Sequence, residues 1–338
     1  MSATLIHRAR SRRRKALQCP RRSQAGMTLV ELMVSLAIGS FLIIGAVQVY
    51  NQSRQAYIIN DSIARVQETA QFAMDTIEAD LRMASNYGMT SRGDTVVGGS
   101  AVGNANPLTL TAPAACGADW SLALFRPVEG NNNTYGLGCA AQGAAQANSD
   151  VLTVRRGSLD PVAFDATRLQ VQSNRIGGIV IDDGAMPAGY SAADSRTHNL
   201  IVNSYYVDSA SQLIAGAPTL RRKSLGVLGG APAVIDLEVA PGVENMQVQF
   251  GVDMTGNGNV DRYVNPGDAI ITPGAAGYVP AASILTARVW LIVRSVSPEI
   301  GIVDNRDYEP GDVDLGVQTD SFRRLMVSKT ILLRNTRT

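Results

Sequence analysis

Three groups of residues in this chain have the types and spacing to do chemistry. The first is a lone carboxylate. Glu31 stands inside a run of about 24 residues from Met27 that is otherwise apolar or small, long enough to cross a bilayer. A charge at that depth costs roughly 3 kcal/mol on insertion scales. It therefore needs a partner of opposite sign, or a way to snorkel its head to the interface. The second group is DMTGNGNVD, residues 253–261, with oxygen-bearing side chains at alternate positions and a glycine at the turn. That is the rhythm of a calcium loop, in which Asp253, Thr255, Asn257 and Asp261 would offer side chains and Asn259 its carbonyl. Val264 stands where the closing acidic ligand belongs, so only two charged ligands remain and affinity would be weak. The same letters also read as a tight Asn-Gly hairpin between strands at 245–252 and 260–264. Both readings stand. The third group is Cys116 and Cys139, which no CxxC pair accompanies, an argument against zinc or redox chemistry.

Catalysis has little to work with. After residue 26 the chain holds one histidine, His198, and two lysines, Lys223 and Lys329. It shows no GxSxG elbow, HExxH, GxGxxG or phosphate loop. A lone histidine beside a strand reads as a core residue, and Asp182–Asp183 as turn residues. The expectation is no catalytic residue, no enzyme, and no cofactor unless calcium occupies the 253–261 loop.

The elements that must position these groups follow from periodicity. From Met27 to Met83 there is no proline. Beyond the apolar run, Ile59, Ile63, Val66, Ala70, Ala73, Ile77 and Leu81 recur three and four apart, one face of a helix. Asp61 with Arg65 and Glu78 with Arg82 are acid-before-base pairs that support it. At about 1.5 Å per residue such a helix is roughly 85 Å long, so its outer half must pack on a domain of its own chain. Gly39 and Gly45 inside the span allow close packing or local unwinding. After Gly88 the texture changes to short β-like runs at 107–112, 122–127, 150–156, 168–173, 178–183, 199–208, 233–239, 245–253, 284–296 and 324–335, parted by Gly, Pro, Asn and Ala. A helix followed by many strands predicts an α+β fold, the helix laid against an antiparallel sheet.

Charge is asymmetric. Residues 1–26 carry eight of the 30 basic residues (Arg8, Arg10, Arg12, Arg13, Arg14, Lys15, Arg21 and Arg22) and no acid, leaving 22 basic against 29 acidic residues, a net charge of −7, in the remainder. Beside an apolar span the basic cluster is a topogenic signal that stays in the cytoplasm and sends the rest outward. An acidic body with 5% aromatics argues against direct nucleic-acid binding. An ordinary secretory signal does not fit. The apolar core exceeds the usual 7–15 or so residues, and QVYNQSRQAY after it offers no small-residue cleavage site.

The order of a basic segment, Gly26, an apolar residue and Thr28-Leu29-Val30-Glu31-Leu32 resembles the class III signal of type IV pilins and pseudopilins. That resemblance implies cleavage between Gly26 and Met27 by a prepilin peptidase and methylation of the new Met27 amine, with Met27 where the family most often has Phe. It implies that Glu31 serves assembly by meeting the N-terminal amine of a neighbouring subunit, a pairing that specifies register in apolar surroundings. Cys116 near Trp120, Cys139, DVLTVRRG (150–157), GVDMTGNGNVDRYV (251–264) and KTILLRN (329–335) together resemble the PilW family of large minor pilins. The organisation implied is a cleaved leader 1–26, a membrane and filament-core helix 27–50, its amphipathic extension 51–87, and an exported β-rich domain 88–338. With Cys19 lost in the leader, Cys116 and Cys139 are the two cysteines left in an oxidising compartment. A disulfide between them is worth roughly 3 kcal/mol; two unpaired buried thiols are the other outcome.

The function implied is that of a structural subunit in type IV pilus assembly or priming, with roles in twitching motility, adhesion or DNA uptake. Its partners would be other minor pilins, the major pilin, the prepilin peptidase and the inner-membrane assembly machinery. It would sit in the inner membrane as a single pass, N-terminus cytoplasmic and domain periplasmic, before entering the extracellular pilus. A minor pseudopilin of a type II secretion system shares the helix, the cleavage site and Glu31. A tip adhesin or binding module is the third reading.

Overall fold

The computed structural model describes residues 26–99, 108–117, 119–299 and 301–336; the arginine-rich leader with Cys19 lies outside them. Helix α1 (Leu29–Met83) runs for 55 residues and ends where expected. Ser85 takes the left-handed conformation at φ 64°, and its N–H donates to Arg155 O at 3.2 Å. The chain divides into two units between Tyr57 and Ile58. In the first, Leu29, Phe41 and Leu42 are 76%, 80% and 67% exposed. Side chains of that kind belong against lipid or other helices, and α1 is long and apolar enough to cross a membrane.

In the second unit the expected stripe is buried. Val66, Ala70, Ala73, Ile77 and Leu81 all turn inward, joined by Met74, while Ile59 and Ile63 are half-buried. The strands are β1 (Val96–Val97), β2 (Val128–Asn131), β3 (Val151–Gly157), β4 (Gln170–Ser173), β5 (Gly178–Ile181) and β6 (Arg196–Asp208). They continue with β7 (Thr219–Leu228), β8 (Ala231–Pro241), β9 (Val243–Asp253), β10 (Arg262–Val264), β11 (Ser283–Arg294) and β12 (Arg324–Leu332), and a single turn of helix, α2 (Asp119–Leu122), precedes β2. The first eight strands form one sheet in the order β1-β5-β4-β6-β3-β2, with β7 and then β8 added through β6. The second sheet is β10-β9-β11-β12, antiparallel throughout. Of the pairs in both sheets, β1–β5 is parallel and the others antiparallel.

The helix stripe belongs to one cluster that draws on both sheets: Leu152 and Val154, Tyr205 and Val207, and Leu220 from the first, Val248, Phe250, Val289 and Leu291 from the second. A smaller cluster holds Tyr87, Trp120, Leu124, Val171 and Val202 beside Cys116.

Two expected strands are absent. Residues 108–112 are irregular, and 122–127 pass from α2 through a turn, the strand starting only at Val128. Leu124 and Trp120 are buried there, so their apolar pattern reflects core contact without strand pairing. Conversely, β7 lies outside the expected strands and carries Arg221, Arg222 and Lys223. Arg221 and Lys223 are nonetheless buried. Asp236 on β8 takes Arg221 Nε and Lys223 Nζ, both at 2.7 Å, and the Tyr206 hydroxyl at 2.7 Å. Burial alone would raise the Asp236 pKa, but Lys223, Tyr206 and Arg221 outweigh it and hold the carboxyl below its usual range.

Polar locks fix the helix on its cores. Asp80, 4% exposed, accepts from Arg156 Nε and Nη2 (2.9 and 2.8 Å), Asn203 Nδ2 (2.6 Å) and the Tyr205 hydroxyl (2.5 Å). Glu78 pairs with Lys329 of β12 and with Arg82 one turn on, and the Ser62 hydroxyl donates to Glu299. Asp80→Ala removes the shared acceptor of Arg156, Asn203 and Tyr205, one of them charged, and should cost about 3 kcal/mol, read from the urea midpoint. Lys329 first, and Arg82 after it, hold the Glu78 pKa below its ordinary 4.5. A lowered carboxylate adds stability that is present above the unfolded value and lost as pH falls through the folded one. The stability advantage of the native protein over Lys329→Met should therefore be full at neutral pH and shrink in acid melts below about pH 4.5.

Candidate functional site

The start of α1 carries the residues the sequence singles out. Gly26 has no neighbour that a Cβ would meet within 4 Å, and Met27 is 64% exposed, so the bond between them is sterically open. Thr28 is the N-cap: its carbonyl accepts the Leu32 N–H at 3.2 Å. Glu31 turns back over it. Its Oε2 accepts from the Thr28 N–H at 2.9 Å and the Thr28 hydroxyl at 3.0 Å, and the Glu31 N–H donates to Thr28 Oγ1 at 3.3 Å. This is a reciprocal capping box, which satisfies orphan N–H groups at the helix start and places a negative charge at the positive end of the helix dipole. The signal is legible as Thr-x-x-Glu, although assembly and snorkelling are the roles that the sequence suggests for Glu31. The structure adds a local one. Within the span, the Ser40 hydroxyl donates to Leu36 O at 2.7 Å, so this polar residue is met by its own backbone.

Cys116 and Cys139 are disulfide-bonded, with Cα atoms 4.3 Å apart. The loop they close docks through Tyr135, whose ring meets Tyr206 edge-on at 5.0 Å. The segment after Cys116 is held by Arg155, which is fully buried. Arg155 donates to Trp120 O at 2.8 Å and Arg126 O at 2.7 Å and pairs with Glu129. Nothing in the sequence marks Arg155 as the residue that shapes this lobe, because its partners are carbonyls remote along the chain.

The lone histidine, His198, is 5% exposed, with Nδ1 2.8 Å from Ser158 O and its ring against Gly88. Asp182 accepts the Thr111 N–H at 2.6 Å and Asp183 the Ala185 N–H at 3.0 Å, both loop contacts.

Residues 253–261 form the turn between β9 and β10, with Arg262 paired to Val252. Asp253 Oδ1 accepts the N–H groups of Thr255 (3.0 Å), Gly256 (2.7 Å) and Asn257 (3.3 Å), and Oδ2 that of Gly258 (2.7 Å). Burial opposes ionisation here, but these four donors outweigh it and lower the Asp253 pKa. Asp253, Thr255 and Asp261 come together, both carboxylates lying 3.3 Å from Thr255 Oγ1. Asn257 instead turns its carbonyl to the Asn259 N–H at 2.8 Å. Of the five candidate ligands, three converge. Among the described residues no group of three or more His, Cys, Asp or Glu gathers as metal ligands.

Two family models match the chain. Residues 21–47 match the prokaryotic N-terminal methylation motif, and residues 204–335 match the type IV pilus-assembly protein W. The first covers the capping box and most of the apolar run; the second covers the end of β6 and all of β7 to β12. The segments at 251–264 and 329–335 fall within that match, and those at 116–157 precede it. The two matches support a type IV minor pilin of the PilW family, and the motif with its apolar helix fits a single-pass inner-membrane protein. No curated protein and no solved structure matches.

The disulfide generates a direct test. Mass spectrometry of the non-reduced protein should find no free thiol at Cys116 or Cys139. Replacing both by serine should cost about 3 kcal/mol in the chain-entropy account, read as a lowered unfolding midpoint.

Proposed function

We propose that the chain is a structural subunit that primes or joins a type IV pilus, acting by packing and not by catalysis. The observation that carries this reading is the start of α1: a methylation motif whose Gly26–Met27 bond is open, followed by an exposed apolar helix and a domain matching a pilus-assembly protein. A prepilin peptidase cuts between Gly26 and Met27, removing the basic leader and creating an amine on Met27 that is then methylated. Before assembly the apolar half of α1 holds the protein in the inner membrane, with the β-rich domain on the periplasmic side. On assembly that half leaves lipid for a bundle of like helices formed with other minor pilins and the major pilin. There the Glu31 carboxylate meets the Met27 amine of a neighbour, since leaving either charge unpaired in apolar surroundings costs several kcal/mol or so.

The capping box sharpens the experiment. Glutamine also closes a capping box, so Glu31→Gln keeps the local role and removes the charge. Glu31→Ala removes both. If charge pairing drives docking, both variants should be processed and reach the inner membrane but be depleted from sheared fibres. Recovery of Glu31→Gln in the fibre at the native level would reject charge pairing and leave capping as the role of Glu31.

A further inference from the structure

Helix α1 carries three arginines. Two of them have a carboxylate four residues earlier: Arg65 pairs with Asp61 and Arg82 with Glu78. Arg54 has none. The residues three and four positions to either side of it are Tyr50, Asn51, Tyr57 and Ile58, so no acid lies within reach along the helix. Arg54 is exposed, and among the described residues no carboxylate pairs with it. Tyr50, Arg54 and Tyr57 stand four and three apart, on one face of the helix. Both tyrosines are largely exposed, and all three residues belong to the first unit of the chain.

The apolar run sets where this face lies. From Glu31 to Tyr50 the helix advances 19 residues, about 28 Å, against a hydrocarbon layer of roughly 30 Å. With Glu31 capping the inner end, Tyr50 falls at the outer boundary, and the polar stretch Asn51-Gln52-Ser53-Arg54-Gln55 begins there. Arg54 is about 6 Å farther along, inside the headgroup layer, which adds roughly 5–7 Å on each side of the hydrocarbon. Tyr57 is about 10 Å beyond Tyr50, and helical side chains lean toward the N-terminus, here back over that layer. Tyrosine is enriched at such interfaces, whereas basic residues concentrate on the inner side of a span. An arginine on the outer side, set between two tyrosines and without a counter-charge of its own, takes its partner from outside the chain.

We propose that Tyr50, Arg54 and Tyr57 form a lipid-headgroup site, in which the Arg54 guanidinium binds the phosphate of a phospholipid in the periplasmic leaflet. This rests on the reading above that the apolar half of α1 spans the inner membrane. A guanidinium presents a planar fork of donors that matches phosphate oxygens. Every phospholipid supplies such a phosphate, so no anionic headgroup is required. The tyrosines flank the contact with an apolar ring toward the acyl boundary and a hydroxyl toward water. The site fixes the depth of the helix. Sliding inward would draw Arg54 into hydrocarbon, and sliding outward would bring Val47 and Val49, both exposed on the helix, into water. Entry into a fibre therefore requires Arg54 to give up its phosphate.

The test uses the full chain from Met27 onward, in vesicles of phosphatidylethanolamine and phosphatidylglycerol, with isotopically labelled arginine observed by solid-state NMR. Recoupling to lipid phosphorus should attenuate one guanidinium signal, and that signal should be missing from Arg54→Gln. Depth is read separately, from a spin label on Gln52→Cys. With Cys116 and Cys139 bonded to each other, that thiol alone reacts. Arg54→Leu should carry the label inward by one helical turn, about 5 Å, and Arg54→Lys should leave it in place. A native chain that fails to float with the vesicles would reject the membrane-spanning reading and this site with it. A chain that floats but shows no attenuated Arg54 signal would overturn the phosphate contact alone, as would a label whose depth ignores Arg54→Leu. Contact of Arg54 with a carboxylate of a second chain in place of lipid phosphorus would overturn it in favour of a neighbouring helix.

Discussion

The stripe from Val66 to Leu81 on α1 is the surface on which the two sheets of the domain meet. Neither sheet closes a core alone; the largest apolar cluster takes residues from α1, from β3, β6 and β7, and from β9, β11 and β12. Alanine at positions 70 and 73 lets the helix backbone approach closely, and the neighbouring Ile77 and Leu81 fill the space on either side. Burial of this kind is non-directional and would tolerate sliding or rotation of the helix. Asp80 removes that freedom. Its carboxylate is met by Arg156, Asn203 and Tyr205, which lie on β3 and β6, so a small shift of α1 would strand an ionised group away from water.

The same logic recurs farther out. The charges on β7 and β8 are buried in alternation and satisfied across the strand pair. Arg155 anchors the lobe that the disulfide closes by donating to carbonyls that have no strand partner of their own. In the second case, Arg155 does what a ladder of backbone hydrogen bonds does elsewhere. It meets the polar groups of irregular chain that would otherwise be buried unsatisfied. Irregular segments such as 123–127 can therefore sit against a core without becoming strands.

The two parts of α1 answer to different solvents. From Val66 on, its inward face is complete within this chain. Before Tyr57, its large apolar side chains are exposed, and Glu31 folds onto Thr28 at the end. A capped carboxylate at the head of an apolar helix is tolerable in a membrane interface, because the cap meets part of its hydrogen-bonding need. It also remains near Met27, where the proposed cleavage would leave an amine. The geometry thus suits both a monomer held in lipid and a subunit packed among other helices, the two states that the proposed assembly step connects.

Features carried by near neighbours in the chain are readable from the order of residues alone. The helix from the apolar run to Met83, its buried stripe, the Asp61–Arg65 and Glu78–Arg82 pairs and the Asn-Gly turn after β9 depend on residues at most a few turns apart, so their periodicity is printed in the chain. Most strands with alternating side chains are legible for the same reason. The exceptions have one cause. The charge run of β7 is buried because Asp236 and Glu238 lie opposite it, and the 122–127 run is buried through the core contact of Leu124 without strand pairing. Arg155 and Asp80 gain their roles from carbonyls and side chains brought in by the fold. The convergence of Asn132, Asn133 and Asn265 on Asp312 joins residues up to 180 positions apart. No local pattern can encode such a meeting. It is fixed by sheet order and loop placement, which only the packed domain decides.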